Sequence, residues 1–196
     1  MKQPGEVLEY WFGAFGPEYP ADNAEIWWKK NPAIDTEIKA QFGSTLEASA
    51  RGDLAGWSES KNGRLAHIIL IDQMSRNMHR DSPMMYAQDD LAQELSLRSL
   101  ISGDHFDGHF ERMFQYMPLM HAENVNMQRL CVHLFAQEIA NAAGAGKTRA
   151  EGSHDFAIKH LVIVERFGRF PHRNAILERK STPDEVEFLK QPGSSF

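Results

Sequence analysis

The chain has 196 residues, enough for a sizeable core in one domain. Its 21 Lys and Arg against 27 Asp and Glu leave a net charge of −6, which argues against broad attraction to nucleic acid or to an anionic membrane surface. A single cysteine, Cys131, excludes an internal disulfide and a thiolate metal cluster.

Helical spacing dominates and no segment alternates like a half-buried strand, so an all-α fold is predicted. Glu6 to Phe12 reads as a first helix, burying Val7, Leu8, Tyr10 and Trp11 and stopped by Gly13, Gly16 and Pro17, with a loop to about Ala24. Asn31-Pro32 pairs an oxygen cap with a proline at the first helical position, opening a helix to Ala50 that Arg51-Gly52-Asp53 breaks. The next helix spans Gly63 to Asn77, carrying Leu65, Ile68, Ile69, Ile71 and Met74, and Ser82-Pro83 repeats the cap-and-proline signal.

Asp89 to Leu100 follows, stopped at Gly103, and HFERMFQYMPLM makes a helix that Pro118 kinks or ends. Glu123 to Ala143 is a long helix, GAGKTRAEGS a linker or exposed loop, and His154 to Phe167 a further helix with Phe156, His160, Ile163 and Phe167 in one stripe. Thr182-Pro183-Asp184-Glu185 has the elements of a capping box before a last helix ending near Lys190. The expectation is about eight helices in stacked antiparallel pairs, one domain over 1–196 with 191–196 a loose tail.

The start, MKQPGEVLEYWFG, lacks the apolar core of a secretory signal, and the longest apolar run, LAHIILI, is far short of the ~20 residues of a spanning helix. A cytoplasmic location is expected, with no membrane and no nucleic-acid partner. Gly144 to Thr148, GAGKT, imitates a phosphate-binding loop, but Asn141 stands where the first glycine belongs and a helix precedes it instead of a strand. His105 and His109 share the spacing of a metal pair, yet Gly108 breaks the helix between them and no third ligand stands nearby; no metal and no cofactor are expected.

Three polar constellations interrupt the apolar helices. In DQMSRNMHR, Asp72, Arg76 and Arg80 fall four apart on one face with Gln73 and Asn77 beside them, the pattern of an inward hydrogen-bonding site or of an ordinary ion pair. In PLMHAEN, His121 with Glu123 and Asn124 follows a proline at a helix junction, and its ordinary pKa suits a general base or a donor to an anion. In ERFGRFPHRN, Pro171 turns the chain, so that His172, Arg173 and Asn174 leave a bend next to Arg166 and Arg169 while Phe167 and Phe170 pack it down. Guanidinium groups fixed by a bend suit carboxylate or phosphate, or pairing with Asp72 and Glu123.

EVLEYWFG, WWKKNPAIDTEIKAQFG, LIDQMSRNMHR, QYMPLMHAEN and ERFGRFPHRNAILERKSTPDEVEFL, in that order over nearly the whole chain, resemble the uncharacterised bacterial domain-of-unknown-function family 924. The resemblance implies a helical array similar to tetratricopeptide repeats, with a concave groove. Asp72, Gln73, Arg76, Asn77, Arg80, His121, Glu123, Arg166, Phe170, Pro171, His172, Arg173 and Asn174 match motif positions of that family. Met74 and Ser75 depart from its usual DQFPRN, and Asn124 replaces the acid of its MHSED. The family implies no substrate.

Three functions are compatible with these residues. The first is a module binding an anionic small molecule or a peptide terminus through Asp72, Gln73, Arg76, Asn77, Arg80, His121, Arg166, His172, Arg173 and Asn174. The second is an enzyme with His121 or His172 as general acid or base, Glu123 beside them and arginines stabilising an anion. The third is a scaffold whose arginines lock helix pairs. Oligomeric state is not encoded in any of these patterns.

Overall fold

The computed structural model describes residues 1–13 and 23–195, and all regular structure among them is helical. The stops expected at Gly16 and Pro17 lie outside the described residues. The chain divides into two compact units, one from Met1–Arg80 with Met84–Pro118 and the other from Asp81–Pro83 with the residues from Leu119 onward.

The first unit begins with α1 (Pro4–Phe12), whose start precedes the predicted one because Pro4 supplies the first turn and the Gln3 N–H donates to Glu6 Oε2 at 2.8 Å. A short α2 (Ala24–Trp28) leads to α3 (Pro32–Ala50), capped as expected by Asn31 Oδ1, which accepts from the amides of Ala33 and Ile34. Then come α4 (Lys61–Ile68), a π-helical turn (Ile69–Met74) and α5 (Ser75–Met78), continuous with one another. Every residue from Gly63 to Ser75 is buried, the mark of a helix enclosed on all sides, and α1, α3 and α6 (Asp89–Ile101) pack around it. Ser82-Pro83 opens only a 3-10 turn, Pro83–Tyr86, before α6.

The aromatic layer of this unit is built by edge contacts: Trp27 lies 5.1 Å from Phe114 and 6.0 Å from Phe12, and Trp27 Nε1 donates to the Trp11 carbonyl at 3.0 Å. Phe114 belongs to α7 (His109–His121). Pro118 does not end α7, contrary to one of the two outcomes expected. It removes one backbone donor, but Leu119 and Met120 beyond it are buried at 0 and 5 % exposure, and burial on that scale, ~1.5–3 kcal/mol per side chain, offsets the missing bond.

The second unit is dominated by α8 (Val125–Asn141) and α9 (Gly144–Phe167), consecutive helices joined by Ala142-Ala143 and packed along their length. Cys131, Phe135, Ala150 and Ala157 are fully buried in it, and burial pushes the Cys131 thiol far up. GAGKTRAEGS is the start of α9, not a linker or exposed loop. Its glycines each cost a helix roughly 1 kcal/mol against alanine, but Lys, Arg, Glu and Ala surround them and Ala150 is buried.

Gly168 ends α9 in the left-handed conformation, φ 70°, its N–H bonded to the Val164 carbonyl. Pro171–Arg173 form a single 3-10 turn, so the predicted bend is present, and α10 (Pro183–Phe188) carries the predicted Thr182 and Glu185 capping box. Ile163, Val164 and Phe170 make the local core with Phe167 and Phe188 against it. Beyond α10 the chain turns, and Ser194 is buried with its hydroxyl donating to the Leu189 carbonyl. Among the described residues, no helix is long and apolar enough to cross a membrane.

Candidate functional site

Asp72 and Gln73 sit on the π-helical turn, where an enclosed helix carries polar side chains into the core of the first unit. Asp72 has no exposed surface, and Arg76 Nη2 donates to it at 3.1 Å and to Asp89 Oδ1 at 2.9 Å. The Tyr86 ring lies 5.1 Å from the same guanidinium, and the Met85 carbonyl accepts from Nη1. Burial opposes the charge on Arg76, but Asp72 and Asp89 outweigh it and hold the guanidinium above its ordinary pKa. Gln73 Nε2 donates to Asp72 Oδ2 at 2.5 Å and to Met117 Sδ at 3.1 Å.

Asn77 and Arg80 turn to a different partner. Asn77 Nδ2 donates to Asp35 Oδ1 at 2.8 Å, and Arg80 grips both Asp35 oxygens at 2.7 and 2.8 Å. Burial works against the Asp35 charge, and these two donors more than compensate, lowering its pKa. The predicted face of Asp72, Arg76 and Arg80 is thus split, because α5 ends at Met78 and Arg80 leaves the helix. Asp35 and Asp89 were missed in the sequence, each being an ordinary acid in the first turn of a helix.

In the second unit the bend at Phe170 is held from both sides. Its N–H donates to Glu123 Oε1 at 2.8 Å, its carbonyl accepts from Arg179 Nη2, and Arg179 in turn forks onto both Glu123 oxygens. Arg179 Nε reaches Asn174 Oδ1 at 3.0 Å, and Asn174 Nδ2 reaches Ser181 and Glu185. Arg169 forks onto Glu185 at 2.7 and 2.8 Å, which holds that carboxyl at about 2. Burial opposes the Glu123 charge, and Arg179 and the Phe170 amide outweigh it, lowering its pKa. Asn124 is the cap of α8, accepting from the amides of Asn126 and Met127.

Two histidines flank Phe170, and a third stands beside one of them. His160 and His172 each lie 5.6 Å from its ring, His121 lies 6.4 Å from His160, and the Arg173 guanidinium stacks on Phe170 at 4.6 Å while Nη2 donates to the His121 carbonyl. Burial pushes the His160 imidazole down to about 3 and the His172 imidazole to about 4, with Arg173 adding to both. His160 was read only as part of an apolar stripe; its place beside the motif histidines comes from α9 packing, which spacing does not reveal.

Arg166 differs from the other arginines of the bend. Its guanidinium lies over Phe167 at 4.6 Å and Phe188 at 5.7 Å, and among the described residues no carboxylate or carbonyl pairs with it. It opens onto a pocket of about 390 Å³ walled also by Phe167, Arg169, Thr182, Asp184 and Glu185. Of the expected site residues, Asp72, Gln73, Arg76, Asn77 and Arg80 therefore belong to ion networks of the first unit. His121, Glu123, Arg166, His172, Arg173 and Asn174 belong to the second, where Arg166 faces a pocket and the rest meet around Phe170. His105 stays in a loop beside Asp107, and His109 opens α7.

Comparison with curated proteins gives no match. A solved structure of a protein of unknown function from Agrobacterium tumefaciens is similar to this chain at 33% identity and a TM-score of 0.74, covering 95% of this chain and 96% of that one. The profile of the family described as bacterial protein of unknown function (DUF924) matches residues 7–193. With that span matched, this chain belongs to the DUF924 family.

Proposed function

We propose that this protein is a cytoplasmic binding module for a small carboxylate-bearing molecule or a peptide C-terminus, held at Arg166. The observation that carries this is the guanidinium of Arg166, fixed by two phenyl rings at the mouth of a pocket and left without an anionic partner among the described residues. A pre-positioned planar fork loses little entropy on gripping a carboxylate. Arg169 is neutralised by Glu185, so the remaining charge in the pocket is Asp184, which favours a ligand that also carries an ammonium group. The helix pair α8 and α9 is of the kind that a tetratricopeptide-like array stacks, and neither nucleic acid nor membrane enters this reading.

A second reading, the scaffold, is favoured by the other arginines: Arg76, Arg80, Arg169 and Arg179 each grip carboxylates of their own unit. Catalysis has less support, since a His172 held at about 4 is a poor proton acceptor near neutral pH. The test is an NMR titration following Arg166 Nε with glycylglycine, N-acetylglycine and glycylglycinamide. Saturable shifts with the first two, absent for the amide and in Arg166→Ala, are expected. Equal response to the amide, or no response at all, leaves the scaffold.

A further inference from the structure

A groove of about 610 Å³ lies wholly within the first unit, and none of the expected site residues lines it, although Ser75, Met78 and His79 of the same stretch do. It runs along one face of α3, from Lys39 past Gly43, Leu46 and Glu47 to Ala50, a distance of roughly 16 Å at 1.5 Å per residue. Met78 and His79 after the π-helical turn, Met84 and Gln88, and Leu91 of α6 form the facing wall. Its volume lies within the range of small-molecule sites.

The hydroxyls along the groove are already engaged. Ser49 Oγ lies 2.7 Å from Gln88 Oε1 and 2.7 Å from His67 Nε2, and the Ser75 hydroxyl donates to the Ile71 carbonyl at 2.5 Å. With Gln88 accepting from Ser49, the buried His67 supplies its Nε2–H to the same oxygen. His67 Nδ1 has no partner among the described residues, so the third group that orients a catalytic base is missing and the Ser49–His67 pair is structural. The middle of the groove therefore asks for an apolar occupant, against Leu46, Met78 and Met84, and methionine adapts readily to flexible chains.

One end is cationic. Lys39 and His79 line it together, and neither is paired with a carboxylate among the described residues. Burial and then the nearby Lys39 charge lower the His79 pKa, so near neutral pH Lys39 carries the charge of this end and His79 offers a neutral ring N–H. The acids of the groove stand elsewhere: Asp90 in the first turn of α6, where it complements the helix dipole, and Glu47 two turns along α3.

We propose that this groove binds a linear monocarboxylate with a hydrocarbon chain, its head at Lys39 and His79 and its chain over Gly43, Leu46, Met78 and Met84. Gly43 is the feature that makes this testable, because no heavy atom lies within 4 Å of the point where its Cβ would stand. A Cβ added there strikes nothing, so a leucine at this lining position is expected to take up space in the groove.

Decanoate below its micelle concentration is titrated into protein labelled at the methionine methyls, with decanol and decylamine as head-group controls. Saturable shifts confined to Met78 and Met84 are expected, abolished in Gly43→Leu and weakened roughly tenfold or more in Lys39→Glu. Thermal unfolding by circular dichroism checks that Gly43→Leu folds; if it does not, Lys39→Glu decides. Shifts spread over methionines far from the groove, equal binding of decanol or decylamine, or unchanged binding by either variant overturns the proposal. Arg166→Ala, which removes the other site, leaves the decanoate response intact.

Discussion

The polar motif on the π-helical turn and the one at the bend after α9 use the same residue types for opposite reasons. In the first unit an enclosed helix brings Asp72 into the core, and Arg76 with Asp89 is what makes that charge tolerable. In the second, the backbone of Phe170 leaves helical geometry, and Glu123 with Arg179 supplies the donor and acceptor that the bend lacks. One network satisfies a side chain and the other satisfies a peptide group. Removing a partner should therefore cost more in the first, where Asp72 is wholly buried and Arg76 and Asp89 side chains are 17 and 12 % exposed, than in the second, where Glu123 and Arg179 side chains remain 25 and 24 % exposed.

Arg76→Ala is the sharpest way to break the comparison. It takes the guanidinium from two carboxylates, one of them fully buried and keeping the neutral Gln73 amide, and should destabilise by about 3–5 kcal/mol in urea unfolding. Glu123→Ala leaves the Phe170 amide and Arg179 to water and should cost about 1–2 kcal/mol. If the two losses prove equal, the distinction between side-chain and backbone satisfaction fails.

Acid separates the networks from the histidines. The folded pKa values of His160 and His172, about 3 and about 4, lie below the ordinary 6.5, so the stability they contribute is complete above pH 6.5 and falls as pH drops toward 4. The lowered pKa values of Asp35, Glu123 and Glu185 act in a more acidic window, starting near their ordinary values of about 4 and below. His172→Gln should flatten the stability profile between pH 6.5 and 4.5 and leave the steeper acid limb in place, measured as urea midpoint against pH. The smallest effect belongs to Arg166→Ala, expected within about 0.5 kcal/mol of wild type because the side chain is exposed and closes no ion pair among the described residues.

Much of the fold was legible in local chemistry. Asn31-Pro32 and the Thr182 to Glu185 box are signals whose mechanism is complete within four residues, and both open helices where expected. GAGKT misled, and Pro118 did not end its helix, because burial at Ala150 and at Leu119 and Met120, a tertiary matter, outweighs weak local preferences. The candidate site was legible in residue type and much less so in pairing. Asp35 meets Arg80 across 45 positions, and Arg179 meets Glu123 across 56, distances over which a single sequence carries no spacing signal. Arg166 reads in the sequence as one of several arginines; that two rings hold it, and among the described residues no carboxylate, depends in part on Phe188, a helix away.

The π-helical turn makes the length of its segment as important as its chemistry. Its bonds reach five residues back, as from the Ser75 amide to the Leu70 carbonyl, one residue more than an α-turn holds. Deleting one residue between Ile69 and Met74 lets the turn close with α-helical bonds and keeps the segments on either side near their present phase, whereas inserting one swings everything after it by about 100°, more than a quarter of a circle. Arg76 would then leave Asp72 and Asp89, and Met78 would leave the groove, so this stretch is expected to tolerate a shortened count far better than a lengthened one.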